Sequence, residues 1–186
     1  MLRRANEADL DAIAAIYDRI HDAEEAGTLT TGWVRGVYPT RATAHAALDA
    51  GDLYVLEDGG SVVAAARINE EQVPVYSQVV WKYPARSDKV LVLHTLVVDP
   101  LCAHRGYGRA FLAFYEACAL ERNRPVLRID TNARNAAARA MYARHGYIES
   151  GIVPTVFNGI EGVMLVCMEK RLGQCPTARI QSNTIS

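Results

Sequence analysis

Apolar positions recur along this chain with two different periods, and the switch between them predicts its elements. After a short strand at Leu2–Ala5, Leu10, Ile13, Ile16, Tyr17 and Ile20 return every three or four residues. Behind the capping candidates Asn6 and Asp9, that spacing predicts an amphipathic helix. A second helical stretch is predicted between Thr31 and Ala50, interrupted by Gly36 and Pro39 and closed by Gly51. Asp52–Glu57 and Ser61–Asn69 read as two strands around Asp58-Gly59-Gly60, a hairpin signal. Residues 70–88 carry neither period; they contain Pro74 and Pro84 together with Tyr76, Trp81 and Tyr83.

The run Val90–Val98, VLVLHTLVV, is apolar at both parities and rich in β-branched residues. That is the pattern of a central strand covered on both faces. Asp99-Pro100 stops it, and a long helix is predicted over about 106–122, with Phe111, Phe114, Tyr115 and Cys118 on its apolar side. Pro125 marks the next break, Val126–Asp130 reads as a buried strand, and residues 135–145 read as an alanine-rich helix closed by Gly146. Strands over 148–157 and 163–169, joined around Asn158-Gly159, complete the order β-α-α-β-β-β-α-β-α-β-β. This is a mixed α/β (α+β) layer with no internal repeat. Residues 173–186 lack periodicity and are expected to be a flexible tail behind one domain over 1–172.

Composition narrows the function classes. A chain of 186 residues fits one domain against a prior of about 150 residues per domain. With 50% hydrophobic and 22% charged residues, a wholly disordered chain is excluded. No apolar stretch approaches the ~18 residues that cross a bilayer, and the residues after Met1-Leu2-Arg3-Arg4 are not expected to form a secretory leader. Cys102, Cys118, Cys167 and Cys175 lack CxxC spacing and read as reduced thiols of a cytoplasmic protein. The histidines and cysteines lack metal-ligand spacing, so no metal is expected.

The net charge of -1 conceals an asymmetry. Residues 1–99 hold nine Lys/Arg against fifteen Asp/Glu, whereas residues 100–144 hold eight arginines against three acids. The first region suits a cationic partner and the second an anion, although either could be a solvated face. The arginines lack the interleaved aromatics of a nucleic-acid surface, so neither nucleic acid nor membrane is expected as a partner.

Two segments carry candidate chemistry. In Ala103-His104-Arg105-Gly106-Tyr107-Gly108-Arg109, two glycines stand where a helix opens, at about 1 kcal/mol each in propensity. Unpaired amides and the positive end of the helix dipole meet there, and glycine lets a phosphate approach them. The bland alternative is a tight strand-to-helix turn. A dinucleotide fingerprint fails because position 111 is Phe111 instead of glycine, which makes the spacing of Asp130 coincidental. In Asp130-Thr131-Asn132-Ala133-Arg134-Asn135 and the helix after it, Asn135, Ala138 and Tyr142 share one face. Asn135 could be only an N-cap and Tyr142 only a core tyrosine.

Taken together, V-V-D-P-(x)4-R-G-Y-G-R-A-F and D-T-N-x-x-N-x-x-A-x-x-x-Y-x-x-x-G-Y, with a strand between them, resemble the GNAT family of N-acetyltransferases. The likeness covers about residues 2–172 and is most specific over 90–147. Ala103 stands where the family motif has Gln or Arg. The resemblance implies a mostly antiparallel sheet of about seven strands flanked by four helices, with a splay between the fourth and fifth strands. It implies acetyl-CoA as cofactor and an amine of a small molecule or peptide as acceptor, attacked directly through a tetrahedral intermediate. It also allows a homodimer, and a non-catalytic acyl-CoA sensor is the alternative.

On that resemblance, main-chain groups around Leu96, Val97 and Val98 would hold pantetheine in the splay. The amides of His104, Arg105, Gly106, Tyr107, Gly108 and Arg109 would hold the pyrophosphate. Asn135 would reach the cofactor from the other side. Tyr142 would be the general acid for the departing thiolate, and an N–H near Leu96 or Val97 would stabilise the oxyanion. His94, close to where many relatives carry a glutamate, is a candidate base. It could equally be a core histidine satisfied by Thr95 or a carbonyl. Glu70 and Glu71 are alternatives acting through water. The acceptor is expected near 18–45 and 70–88, where Trp33, Tyr38, Tyr76, Trp81 and Tyr83 could line a pocket.

Overall fold

The computed structural model describes residues 1–173. Its elements are β1 (Leu2–Arg4), α1 (Leu10–Glu25), α2 (Arg41–Asp49), β2 (Leu53–Asp58), β3 (Ser61–Asn69), β4 (Val90–Val98), α3 (Tyr107–Glu121), β5 (Val126–Asn132), α4 (Ala136–Arg144), β6 (Ile148–Phe157) and β7 (Ile160–Arg171). Apart from Gly173, the expected tail over 173–186 lies outside the described residues. The seven strands form one sheet in the order β1-β2-β3-β4-β5-β7-β6. Every neighbouring pair is antiparallel except β4 and β5, which α3 joins as a crossover.

Local chemistry sets the boundaries. Asn6 accepts from the Ala8 N–H while the Asp9 carboxylate accepts from the Asn6 N–H, a reciprocal cap on the turn that leads into α1. Thr40 and Thr43 cap α2 in the same way. The second helix is shorter than its sequence signal. Gly32 and Gly36 take positive φ, Pro39 follows, and residues 27–40 become a loop. Conversely, β7 extends beyond the expected 163–169 because it pairs with β5 on one side and β6 on the other.

Two layers cover the sheet. On one face, Phe111, Leu112 and Tyr115 of α3 pack on Leu91, Leu93, Leu127 and Ile129, all 0–3% exposed. Burial of that kind contributes roughly 1.5–3 kcal/mol per large side chain. On the other face, α1 and α2 cover Leu53, Val55, Ala65 and Val97. Residues 73–85 cover Val90, Val92 and Val126 beside them. That irregular segment is fastened to the sheet by polar bonds. Glu169 of β7, fully buried, accepts from the Lys82 N–H at 2.6 Å, the Tyr83 N–H at 3.1 Å and Ser150 Oγ at 2.6 Å. Opposite it in register, Arg128 donates to Gln72 and lies 3.9 Å over the Trp81 ring.

Two irregularities of β4 matter for function. Ala65 pairs with Val97, but Arg67 pairs with His94, so β4 carries one extra residue. Thr95 takes φ +53 there. The bulge reverses the alternation: Leu91 and Leu93 face α3, whereas Val97 faces α1. In addition, the β4–β5 ladder runs only from Val90↔Val126 to Leu93↔Ile129. Beyond that point the two strands separate, so the expected splay is present. The edge of β4 after Leu93 that faces the gap has no strand partner among the described residues.

Candidate active site

The gap between β4 and β5 opens into a cleft of about 200 Å³. Leu96, Val97 and Val98 form one wall, and Asn135, Ala138 and Tyr142 form the other. The helix face predicted to hold Asn135, Ala138 and Tyr142 therefore does turn towards the splay. Asn135 Oδ1 caps α4 by accepting from the Ala138 N–H at 3.2 Å, and the residue also lines the cleft. The cap leaves the side-chain NH2 free to donate. Tyr142 is 6% exposed, and burial raises its hydroxyl well above the ordinary phenol range, so it stays protonated at working pH.

Residues 104–109 lie outside this cleft, at the start of α3. Gly106 is the N-cap in the left-handed region, φ +82, and a Cβ there would meet nothing closer than the Arg109 guanidinium at 3.7 Å. His104, Arg105 and Arg109 are exposed. Of the eight arginines in 100–144, Arg124, Arg134 and Arg139 pair with acids, and Arg122 donates to Tyr54. Arg128 is committed to Gln72. Arg105 and Arg109, beside the bare amides, make no salt bridge among the described residues. Tyr107 donates its hydroxyl to Asp58. Gly108 has a packing reason besides the one its motif suggests. It is buried, and a Cβ would approach Met141 Sδ to 2.8 Å, so this glycine lets α3 pack against α4.

A second cavity, of about 240 Å³, adjoins the cleft. His94 lines it, together with Tyr17, Arg67 and Glu71; Tyr38, Thr95 and Asp130 line both spaces. His94 is not satisfied by Thr95. Its Nε2 lies 3.0 Å from Asn69 Oδ1. That amide is oriented by two further bonds, Nδ2 donating to Asp52 at 2.8 Å and Oδ1 accepting from the Glu71 N–H at 3.0 Å. Asn69 Oδ1 can only accept, so His94 Nε2 carries the proton and Nδ1 is the basic nitrogen. Burial, aided by the Arg67 charge, lowers His94 to about 4 and keeps the ring neutral. Glu71 pairs with Arg67 at 2.7 Å, and Glu70 pairs with Arg124 at 2.6 Å, away from both cavities.

Asp130 is the residue that sequence reasoning passed over. Burial raises its carboxyl to about 6, and Tyr76 donates to its Oδ2 at 2.7 Å. The signal available in the sequence was an acid at the end of the buried run VLRI, where a charge is rarely placed without a task. Of the expected acceptor-side aromatics, Trp33 and Tyr38 line the cleft, and Tyr76 bears on it through Asp130. Trp81 and Tyr83 pack elsewhere, in the fastening of residues 73–85. Phe157 and Asn158, at the β6–β7 turn, line both spaces and were not anticipated.

The family model described as "Acetyltransferase (GNAT) family" matches residues 14–147. The chain belongs to the GNAT acetyltransferase family. A search of curated proteins found no match. Among solved structures, this GNAT chain is similar to a Brucella melitensis ribosomal-protein-alanine N-acetyltransferase. The two are 26% identical with a TM-score of 0.68, over 92% of this chain and 99% of that one. A GNAT acetyltransferase from Streptococcus agalactiae superposes with a TM-score of 0.78 at 21% identity, over 93% and 95% of the two chains. The Salmonella typhimurium yncA protein, solved with its cofactor acetyl-CoA, gives a TM-score of 0.67 at 19% identity over 95% of each chain.

The cofactor of this GNAT acetyltransferase is acetyl-CoA. The chain's own geometry fits it. A β4 edge without a strand partner can accept an extended amide-bearing arm, and small Ala138 leaves room opposite. The start of α3 presents amides, an open glycine and two arginines without acidic partners.

Proposed function

We propose that this GNAT acetyltransferase transfers the acetyl group of acetyl-CoA to a primary amine of a small molecule or peptide. The observation that supports this reading is the meeting of two cavities at the splay. Tyr142 lies on the cofactor side, His94 on the other, and Thr95 and Asp130 line both. Similarity to an N-acetyltransferase acting on ribosomal-protein alanine supports an amino-group acceptor, as does the acidic balance of residues 1–99.

The cofactor supplies an acetyl thioester, and the chain supplies grip and proton management. Main-chain groups of Leu96, Val97 and Val98 hold the arm in the manner of an added strand. The amides of residues 104–109, with Arg105 and Arg109, hold the diphosphate. Asn135 donates its free NH2 to the cofactor. An N–H at Leu96 or Val97 stabilises the oxyanion, and Tyr142 donates its proton to the departing sulfur. His94, with Nε2–H held by Asn69, offers Nδ1 to the incoming amine as a hydrogen-bond acceptor.

The test is a screen of polyamines, amino acids, aminoglycosides and short peptides, reading free coenzyme A with a thiol reagent. Acetyl-CoA is expected to raise the melting temperature, as any ligand of the folded state does. Tyr142→Phe is expected to lower kcat about 10²-fold or more, with acetyl-CoA affinity held within a few-fold. Equal turnover in the variant removes Tyr142 from the acid role. Cofactor binding without thiol release for any amine favours the sensor over the enzyme.

A further inference from the structure

Asp130 is the first residue of β5 beyond the last rung of its ladder with β4, Leu93↔Ile129. It therefore stands at the fork of the splay, and it lines the cofactor cleft and the acceptor cavity together. One carboxylate oxygen, Oδ2, accepts from Tyr76. The other has no hydrogen-bond partner among the described residues, yet it is not sealed from solvent. Among the described residues no cation pairs with the charge. The arginine on the same face of the strand, Arg128, is held by Gln72 and Trp81 instead. A half-buried carboxylate without a counter-ion is unfavourable unless its cation arrives with a ligand.

We propose that Asp130 receives the ammonium group of the acceptor and takes its proton, so that the acceptors are primary alkyl amines that arrive charged. This inference rests on the proposed amine acetylation and adds to it a catalytic residue and a substrate class. The protons balance as follows. The acceptor arrives as R–NH3+ and gives one proton to the Asp130 carboxylate. The freed lone pair forms the C–N bond at the thioester carbonyl carbon, the C–S bond breaks, and the sulfur takes the Tyr142 proton. The second surplus N–H proton returns to the Tyr142 oxygen, and Asp130 releases its own to solvent. The products are an N-alkyl acetamide, a thiol and one proton.

The surroundings leave Asp130 as the titrating group near neutrality. Tyr76, Tyr38 and Tyr142 face it, and all three phenols are raised by burial. Cys167, its β7 partner, is raised to about 12. Across the acceptor cavity stand His94, lowered to about 4, and the Arg67–Glu71 ion pair. With Asp130 at about 6, kcat/KM for an alkyl amine should rise to a plateau above pH 6. If neutral amine were drawn from solvent instead, kcat/KM would climb tenfold per pH unit up to the amine's own pKa near 10.

The experiment compares the full-length wild type, Asp130→Asn and Tyr76→Phe for thiol release from pH 5 to 9, with acetyl-CoA binding measured separately by calorimetry. Asp130→Asn is expected to bind acetyl-CoA within a few-fold of wild type, to lose about 10²–10⁴-fold in kcat, and to lose the limb near pH 6. Tyr76 is a positioning residue whose phenol lowers the carboxyl's pKa. Tyr76→Phe should therefore move the limb to higher pH and lower kcat/KM near neutrality, recovering towards the plateau at pH 9, which a purely structural tyrosine would not do. Undiminished turnover in Asp130→Asn, a limb that persists in it, or arylamines acetylated as well as alkyl amines overturns the assignment alone. A wild type that binds acetyl-CoA but acetylates no amine overturns the proposed function as well.

Discussion

A carboxyl raised to about 6 by burial makes the native state less stable at neutral pH than it need be, and Asp130→Asn should reveal this without any substrate. The ordinary value is 3.8, so the native state holds this proton about two pH units more tightly than the unfolded chain. Between about pH 4 and pH 6 the native state binds more protons, and stability falls as pH rises through that window. Above it the deficit is constant, with a ceiling of about 3 kcal/mol at about 1.4 kcal/mol per unit. Asparagine has no proton to lose, and its Oδ1 can still accept from the Tyr76 hydroxyl. The assay is thermal and urea unfolding of both proteins at pH 4 and pH 8 without acetyl-CoA. At pH 8 the variant should be more stable by about 2–3 kcal/mol, roughly 4–10 °C in a domain of this size. Near pH 4 the difference should shrink towards zero. Asp9, held below its ordinary value by Arg3, loses stability in acid in both proteins and cancels in the comparison. A variant no more stable than wild type at pH 8, or a gap that does not close in acid, refutes the argument.

Asn135 joins a cap and a proposed cofactor contact, and two substitutions separate them. Asn135→Ala should lose about 1 kcal/mol of stability, roughly 2–4 °C, and weaken acetyl-CoA about 2–10-fold by calorimetry. Asn135→Asp keeps the capping oxygen and the melting temperature but, unable to donate, should show the same or greater loss of affinity; wild-type affinity in both removes the contact. Gly32 has φ +74, and a Cβ there would overlap the Asn132 side-chain amide at the cleft. Gly32→Ala should therefore lower stability by at least ~1–2 kcal/mol from backbone strain and raise the KM for acetyl-CoA, and an unchanged melting curve would contradict that placement.

Much of the fold was readable because local pattern and tertiary role agree. VLVLHTLVV is apolar at both parities since helices cover one side of β4 and residues 73–85 the other. The face holding Asn135, Ala138 and Tyr142 followed from helical geometry alone. What escaped depends on contacts distant in sequence. The Thr95 bulge leaves no periodic mark, because one extra residue in an unbroken apolar run changes nothing that alternation can report. Gly108 reads as a phosphate-binding glycine, and nothing local shows that it also accommodates Met141, 33 positions away. Asp130 owes its basicity to burial, tempered by Tyr76, 54 positions earlier. The neutrality of His94 depends on burial and on the Arg67 charge, 27 positions earlier on β3, and its tautomer on Asn69.

Arg128 and Asp130 lie two residues apart on one face of β5, and both reach into the same irregular segment, the first through Gln72 and Trp81, the second through Tyr76. A single strand thus serves as the floor of the reaction chamber and as the anchor of its neighbouring wall. Grafting a different loop over 70–85 to admit other acceptors would strip away the phenol that tempers the carboxylate. Altering substrate range and setting acid–base strength are, in this molecule, one and the same adjustment.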